Sequence, residues 1–321
     1  MTAGGVASPP GGWLPRLGPL LALLLACTFF AWQSPRFLST ANFALILQQL
    51  MVVGVLAIGQ TLVILTGGID LACGMVMALG SVGMSLLATQ AGVPAGMAIA
   101  GGIALTTGFG ALNGLLVTRL ALPPFIVTLG TMNVAFALTQ LVSHAQSITG
   151  LPTALTWLGT TVPLAGAPVA LGTLAMLAAY GLAWALLRET AAGRHLYAVG
   201  SHRDAARLAG IDTDRVLLGA YILSGASAGV AALLAVARTG VGDPQAGQTE
   251  NLDTVTAVVL GGTSLFGGRG SVLGTLVGAL IVGVFRNGLT LMGVSSVYQV
   301  LVTGVLVILA VGTDQWSRRR A

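Results

Sequence analysis

The sequence predicts an all-α integral membrane protein of about ten transmembrane helices, and three observations carry that prediction. Only 7% of the 321 residues are charged and 55% are hydrophobic, against about 25% charged in an ordinary soluble domain. Mean hydropathy is +0.92, and apolar stretches recur from residue 17 to residue 312 with no long polar block between them. At roughly 20 residues per crossing, this length holds about ten spans and little else. A single membrane domain over 1–321 is therefore expected, not a soluble domain with an anchor.

In chain order the expected spans are 17–33, 42–64, 67–89, 94–117, 122–142, 166–187, 216–237, 250–267, 271–290 and 293–312. Lipid offers no hydrogen bonds to backbone, so each span must be a helix. A membrane barrel needs strands that alternate in polarity, and these runs do not alternate. The first run follows Arg16 and lacks a small-x-small cleavage site, so it reads as a span and not as a signal peptide. Residues 1–16 and 313–321 are left as tails. The run 250–267 is short and rich in glycine.

Arginine placement sets the orientation. All fourteen basic residues are arginine; the chain contains no lysine. With the N-terminus inside, Arg16, Arg119, Arg188, Arg194, Arg203, Arg207, Arg215, Arg269 and Arg318–Arg320 fall in the cytoplasm. Only Arg36, Arg238 and Arg286 lie outside or near the outer end, which satisfies the positive-inside rule. Deleting the 250–267 span would put Arg318–Arg320 on the wrong side, so it is kept. Both termini are then cytoplasmic, and the net charge of +5 reads as topology and not as a nucleic-acid surface.

The missing lysine excludes a Walker A loop, whose lysine contacts phosphate, and a lysine Schiff base. His144, His195 and His202 are the only histidines and all lie at loops or interfaces. No Ser/His or His/Glu set falls at membrane depth, so no catalytic, metal or cofactor site is expected. Cys27 and Cys73 sit in apolar runs and carry no redox signal.

Spans two to five (42–142) and seven to ten (216–312) have nearly equal lengths. The first set starts outside and the second inside, so matching halves would be inverted, a common transporter plan. Glycine is placed for close helix contact: Gly110/Gly114, Gly225/Gly229 and Gly274/Gly278 are each four apart, and Gly74, Ala78, Ser81 and Ser85 share one face. Small residues do this work because lipid gives helices no hydrophobic drive to associate.

Three segments are more informative. In 59–83 Asp70 follows Gly67 and Gly68 and opens an apolar helix, where a carboxylate is favoured by the free N–H groups. It reads either as an interfacial N-cap or as a polar group near an inner gate. In 188–215 five arginines surround a short helical turn; Ser201 is placed to cap it and Gly210 to end it. That turn reads either as a solvated loop or as a docking element. In 253–288 the run Gly267, Gly268, Arg269, Gly270 and Ser271 reads as a tight turn between spans.

Within the spans, Gln48, Gln49, Gln60, Asn113, Asn133 and Gln140 are polar but neutral. Such groups commonly hydrogen-bond between helices; a pathway for a hydroxylated solute would also use them. Gln60, Thr66, Asp70, Asn113 and Asn133 are the candidate pathway or gate residues. The scarcity of mid-span charge argues against ion coupling.

TLVILTGGIDLACGMVMALG (61–80), AVGSHRDAARLAGI (198–211) and VVLGGTSLFGGRGSVLGTLVGALIVGVFRNGL (258–289) resemble the permease subunits of bacterial ribose/xylose/galactose-type ABC importers. The likeness runs from about residue 42 to residue 312. It implies a type II ABC importer-like fold in the bacterial inner membrane and a dimer of this subunit. It also implies two ABC ATPase domains, a periplasmic sugar-binding protein and a monosaccharide substrate, with no cofactor on this chain. By the same resemblance Arg203, Asp204, Ala205, Ala206, Arg207 and Gly210 form the coupling element that contacts the ATPase, although the family's loop begins with Glu where this chain has Asp204. Transport by alternating access would follow. The rival readings are a related importer for nucleosides or branched-chain amino acids, and a passive facilitator.

Overall fold

The computed structural model describes residues 14–164 and 166–319. Most of the predicted N-terminal tail, residues 1–13, lies outside the described residues, as do Arg320 and Ala321 of the C-terminal one. Five helices come first: α1 (Leu14–Gln33), α2 (Thr40–Leu65), α3 (Cys73–Thr89), α4 (Ala95–Arg119) and α5 (Pro124–Ser143). A short turn α6 (Thr153–Thr156) and the antiparallel hairpin β1 (Thr161–Leu164) and β2 (Ala167–Ala170) lead into α7 (Leu171–Glu189). Two short helices, α8 (Ala191–Ser201) and α9 (Arg203–Leu208), precede α10 (Thr213–Thr239). The chain closes with α11 (Glu250–Leu260), α12 (Val272–Leu291) and α13 (Ser296–Arg319).

Among the described residues α2, α4, α5, α7, α10 and α12 are long and apolar enough to cross a bilayer. The apolar stretches of α1, α3 and α13 are shorter. Burial is arranged for lipid. Leu25, Leu141 and Leu182 are at least 70% exposed, whereas Gln60, Thr106 and Asn113 are buried.

Three expected spans change shape. The predicted 67–89 helix starts only at Cys73, because residues 66–72 leave the helix with Gly67 at φ +82°. The predicted 250–267 helix stops at Leu260, since Gly262, Gly267 and Gly268 adopt positive φ, where glycine alone is unstrained. Its 11 residues rise about 16 Å, roughly half the hydrocarbon thickness. The start of the predicted 166–187 span is strand, because Gly166 (φ +80°) turns the chain between β1 and β2. At the other end α13 continues to Arg319, beyond the predicted boundary at 312.

α2 and α10 are the most buried long helices. α10 packs on α4, α2 and α3, and α2 also on α12 and α7. The small-residue faces meet one another as their spacing predicts. A Cβ on Gly110 would lie 2.3 Å from the Tyr221 carbonyl oxygen and 3.0 Å from the Gly225 Cα, and one on Gly278 would lie 1.9 Å from the Ala257 carbonyl oxygen. Gly74, Ser81 and Ser85 of α3 seat the non-helical segment 240–249: a Cβ on Gly74 would meet the Gly247 carbonyl oxygen at 2.4 Å, and one on Gly242 would meet Ser85 Oγ at 2.5 Å. Buried polar pairs tie α2 to α12. Asn42 and Asn287 exchange two amide hydrogen bonds of 2.9 and 3.0 Å, and the Thr61 and Thr275 hydroxyls lie 2.8 Å apart.

Gly110→Ala is expected to lower the thermal stability of the detergent-solubilised protein by about 1–3 kcal/mol, the usual cost of overpacking. Gly108→Ala has nothing within 4 Å of the new Cβ and is expected to leave the melting temperature unchanged or raised.

Candidate functional site

The arginine-rich stretch folds as two short helices on the surface. Thr190 caps α8, its hydroxyl accepting from the Gly193 N–H at 3.2 Å. Ser201 is the last residue of α8, so the predicted Ser201 cap on α9 does not form: the N-cap of α9 is His202, which gives no side-chain hydrogen bond. Gly210 ends α9 as its position predicts. Its φ of +85° lets its N–H reach the Arg207 carbonyl while Ile211 N–H reaches that of Ala206, a Schellman arrangement.

Arg203 donates to Asp214 Oδ1 at 2.8 Å, and Arg207 lies 3.6 Å from the same oxygen. These ion pairs are exposed and hold the helix only lightly. Ala206 is buried at 5%, whereas Arg203, Asp204, Ala205, Arg207 and Gly210 face out. Leu208 is 90% exposed, an apolar knob on a charged helix that sequence reasoning passed over. Its signal was a lone leucine inside RDAARLAG.

The three informative segments meet beneath this helix. A Cβ on Gly200 would lie 1.7 Å from the Leu65 carbonyl oxygen and 2.6 Å from the Gly268 nitrogen. Gly268 N–H donates to that same Leu65 carbonyl at 2.9 Å, and a Cβ on Gly267 would lie 2.8 Å from both the Gly200 oxygen and the Gly67 nitrogen. The Tyr197 hydroxyl donates to the Gly270 carbonyl at 3.0 Å, and its partial burial raises the phenol's pKa above the ordinary value. The end of α2, the end of α8 and the turn at 267–271 are thus in backbone contact.

Asp70 belongs to this junction: its carboxylate bonds the chain at the start of α3, as a cap would, and is buried in the protein. It is 3% exposed, and the N-cap position of α3 is Ala72. One carboxylate oxygen accepts from the Ala72 N–H and the other from the Ser224 hydroxyl of α10, both at 2.9 Å. The connector 66–72 is fastened further by the Thr128 hydroxyl on the Ile69 carbonyl (3.1 Å) and the Asn251 amide on the Leu71 carbonyl (3.3 Å). Thr66 bonds back to Val63 and borders a pocket of about 420 Å³ that reaches Arg203, Arg207 and Asp214. Gln60 and Asn113 are buried, and the Gln60 amide and the Asn113 Oδ1 have no protein partner among the described residues. Asn133 is on the outer surface, bonded to Leu129 of its own helix at 2.9 Å. The structure therefore brings Thr66 and Asp70 to one connector, buries Gln60 and Asn113 in the bundle and leaves Asn133 on its outer surface.

A larger cavity, about 720 Å³, lies between α2, α10, α12, α13 and the start of α11. None of the five predicted pathway residues borders it; Gln48, Gln49, Arg238, Glu250, Arg286 and Gln299 do. Arg286 pairs with the buried Asp253 at 2.8 Å and donates to the Thr249 hydroxyl at 3.3 Å. Arg238 donates to the Gln49 carbonyl at 3.2 Å. α2 and α10 run in opposite senses between this cavity and the junction, so the two features occupy opposite ends of the bundle. The charged lining was missed because Arg238 and Arg286 were read only as topology signals. An acid and a base on consecutive apolar segments, Asp253 and Arg286, was the available sign.

The sequence model of the family described as branched-chain amino acid transport system / permease component matches residues 42–311. A fructose import permease of Rhizobium meliloti is 42% identical over 96% of this chain and 87% of its own length. Ribose import permeases of Bacillus subtilis (40% identical, 95% of this chain and 94% of the relative) and Escherichia coli (39%, 94% and 94%) are similarly close. No solved structure matches. Matched across most of its length, with its three informative segments joined at one end of a helical membrane bundle, the chain belongs to this permease family.

Proposed function

We infer that this chain is the membrane-spanning permease subunit of an ATP-driven monosaccharide importer, working as a dimer with a second copy of itself. The partners in this reading are a separate ABC ATPase, which docks on α9, and a periplasmic sugar-binding protein. The observation that carries it is the exposed helix α9, with Leu208 outward and Ala206 inward, seated over a backbone junction of three distant segments. The lysine-free chain has no nucleotide loop of its own, so an external motor is required. Relatives named as fructose, ribose and allose import permeases support the substrate class.

Ten crossings are supported by six long helices, three shorter apolar ones, and α11 with its non-helical continuation. The two halves share a pattern: a long helix, a non-helical connector, a short helix and two further helices (α2–α5 and α10–α13). An odd number of crossings between them inverts one against the other. The arginine distribution supports an orientation with α9 and both termini in the cytoplasm and the protein in the inner membrane.

In the mechanism, closure of the ATPase dimer moves α9 and with it Gly200. Leu65 and Gly268 follow, because no side chain separates these backbones. α2 and α12 then tilt together and expose the cavity to one side or the other. This chain breaks no bond in the solute.

Three outcomes test the reading. Proteoliposomes holding this subunit with its ATPase and binding protein are expected to accumulate labelled D-ribose or D-fructose with ATP, and vesicles of this subunit alone to accumulate neither. Accumulation of L-leucine in place of sugar would move the chain to the amino-acid branch. Leu208→Asp together with Arg207→Glu is expected to abolish ATP-driven uptake and pull-down of the ATPase without changing the melting temperature; retained pull-down would remove α9 as the docking element. Asp70→Ala leaves the Ser224 hydroxyl and the Ala72 N–H unpaired. It is expected to cost about 1–3 kcal/mol of thermal stability, and Asp70→Asn less.

A further inference from the structure

The large cavity lies at the end of the bundle opposite α9, and its lining is chemically specific. Gln48 and Gln49 make no side-chain hydrogen bond to any described residue, although each amide carries two donors and an acceptor. Among the described residues the Glu250 carboxylate accepts a hydrogen bond only from the neighbouring Thr249 N–H, at 3.3 Å. Gln299 reaches across the rim to the Thr290 hydroxyl at 3.1 Å. These groups sit against an apolar wall of Leu45, Val52, Val53 and Val300.

Charge is balanced here. In the larger cavity Arg238 and Arg286 are matched by Glu250 and the buried Asp253, so these formal charges sum to zero. Its volume of about 720 Å³ lies inside the range of roughly 300–1,000 Å³ usual for small-molecule sites. Val52, Arg238, Thr249 and Glu250 also line an adjoining chamber of about 310 Å³. The two cavities therefore share one wall, in which a guanidinium fork and a carboxylate stand side by side.

We propose that this cavity is a transit site for a neutral, polyhydroxylated ring, held by Gln48, Gln49, Arg238 and Glu250. A planar guanidinium presents paired N–H donors that match two adjacent hydroxyls. A carboxylate accepts from two more, and the glutamines donate or accept as the ring turns. The valine and leucine wall takes the C–H face. An apolar solute would leave the amides and charges unpaired, and an amino acid would bring an ammonium and a carboxylate to a site whose own charges are already matched. The proposal rests on the importer reading and adds the site at which the solute is held within this subunit.

The test uses the assembled importer in proteoliposomes, with labelled D-ribose, D-fructose and L-leucine as probes. Gln48→Leu and Glu250→Gln are each expected to lower sugar uptake per ATP hydrolysed by about tenfold, the effect of losing one or two hydrogen bonds to an uncharged ligand. In a Cys27→Ala, Cys73→Ala background, Gln48→Cys is expected to react with a small charged methanethiosulfonate, and millimolar sugar is expected to slow that reaction. This second measurement decides the matter if Gln48→Leu fails to assemble. Wild-type sugar uptake with unaltered uptake in both variants, or a Gln48→Cys reaction indifferent to sugar, overturns the site and leaves the importer reading standing. A wild-type complex that imports L-leucine and no sugar overturns both.

Discussion

Backbone that leaves a helix inside a membrane protein must find its hydrogen bonds in the protein, because lipid supplies none. The contact in which Gly268 N–H meets the Leu65 carbonyl answers that constraint, and the rest of the α9 end is arranged around it. α2 ends at Leu65 with a free carbonyl; the turn after α11 has a free N–H. Gly200 lets the end of α8 press against both, since any side chain there would strike the Leu65 oxygen. The glycines at 67, 267 and 268 supply the positive φ that turns the chain away again. Three segments far apart in the chain, at Leu65, Gly200 and Gly268, are fixed to one another at this point through main-chain atoms, which cannot yield by changing rotamer.

That rigidity gives the bundle a route from one end to the other. α2 is tied to α12 near the junction by Thr61 and Thr275, and at the far end by Asn42 and Asn287. The two helices thus move as a pair, and both contribute to the large cavity, through Gln48 and Gln49 on one and Arg286 on the other. From Leu65 to Val53 is twelve residues of continuous helix, about 18 Å. Displacement of α8 at the junction reaches the cavity without passing through a loop. The connector 66–72, held by Asp70 to Ser224 and by Asn251 and Thr128, keeps α10, α11 and α5 in register with the same movement.

Much of this was legible in the sequence. Membrane solvent, helical spans, the glycine faces at 110/114 and 274/278, and the end of α9 at Gly210 all follow from residue spacing and from glycine's tolerance of positive φ. What failed did so for local reasons. Hydropathy counts residues 67–72 and 261–267 as span because they are apolar, yet paired glycines unwind both. The second strand of the hairpin, 167–170, is hidden because its Ala, Pro and Val score as the head of α7. Ser201 was read as a cap because nothing in the sequence shows that α8 already claims it. Asn133 lies outside because an amide that bonds to its own helix, here to Leu129, needs no neighbour. The cavity lining was invisible for a related reason: Arg238 and Arg286 are far apart in sequence from Gln48, and only the crossing of α2, α10 and α12 assembles them.

The two ends of the molecule use charge in opposite ways, and the difference follows from what each must hold. At α9 two arginines share a single Asp214, with Arg215 paired separately to Asp212, and all of these groups lie at the surface. Exposed pairs of this kind are weak and easily exchanged for others, which suits the docking role proposed for α9. In the cavity the Arg286–Asp253 pair is partly desolvated, with Asp253 only 2% exposed. Removing one partner of such a pair is far more costly than breaking an exposed one. The buried pair therefore fixes the position of Arg286 and cancels its field. Beside it Gln48 and Gln49 are neutral amides with no side-chain hydrogen bond to a described residue, and they share the lining with Arg238 and Glu250. A fixed charged pair thus holds the frame of the cavity, and the four groups proposed to hold the solute line the space inside it.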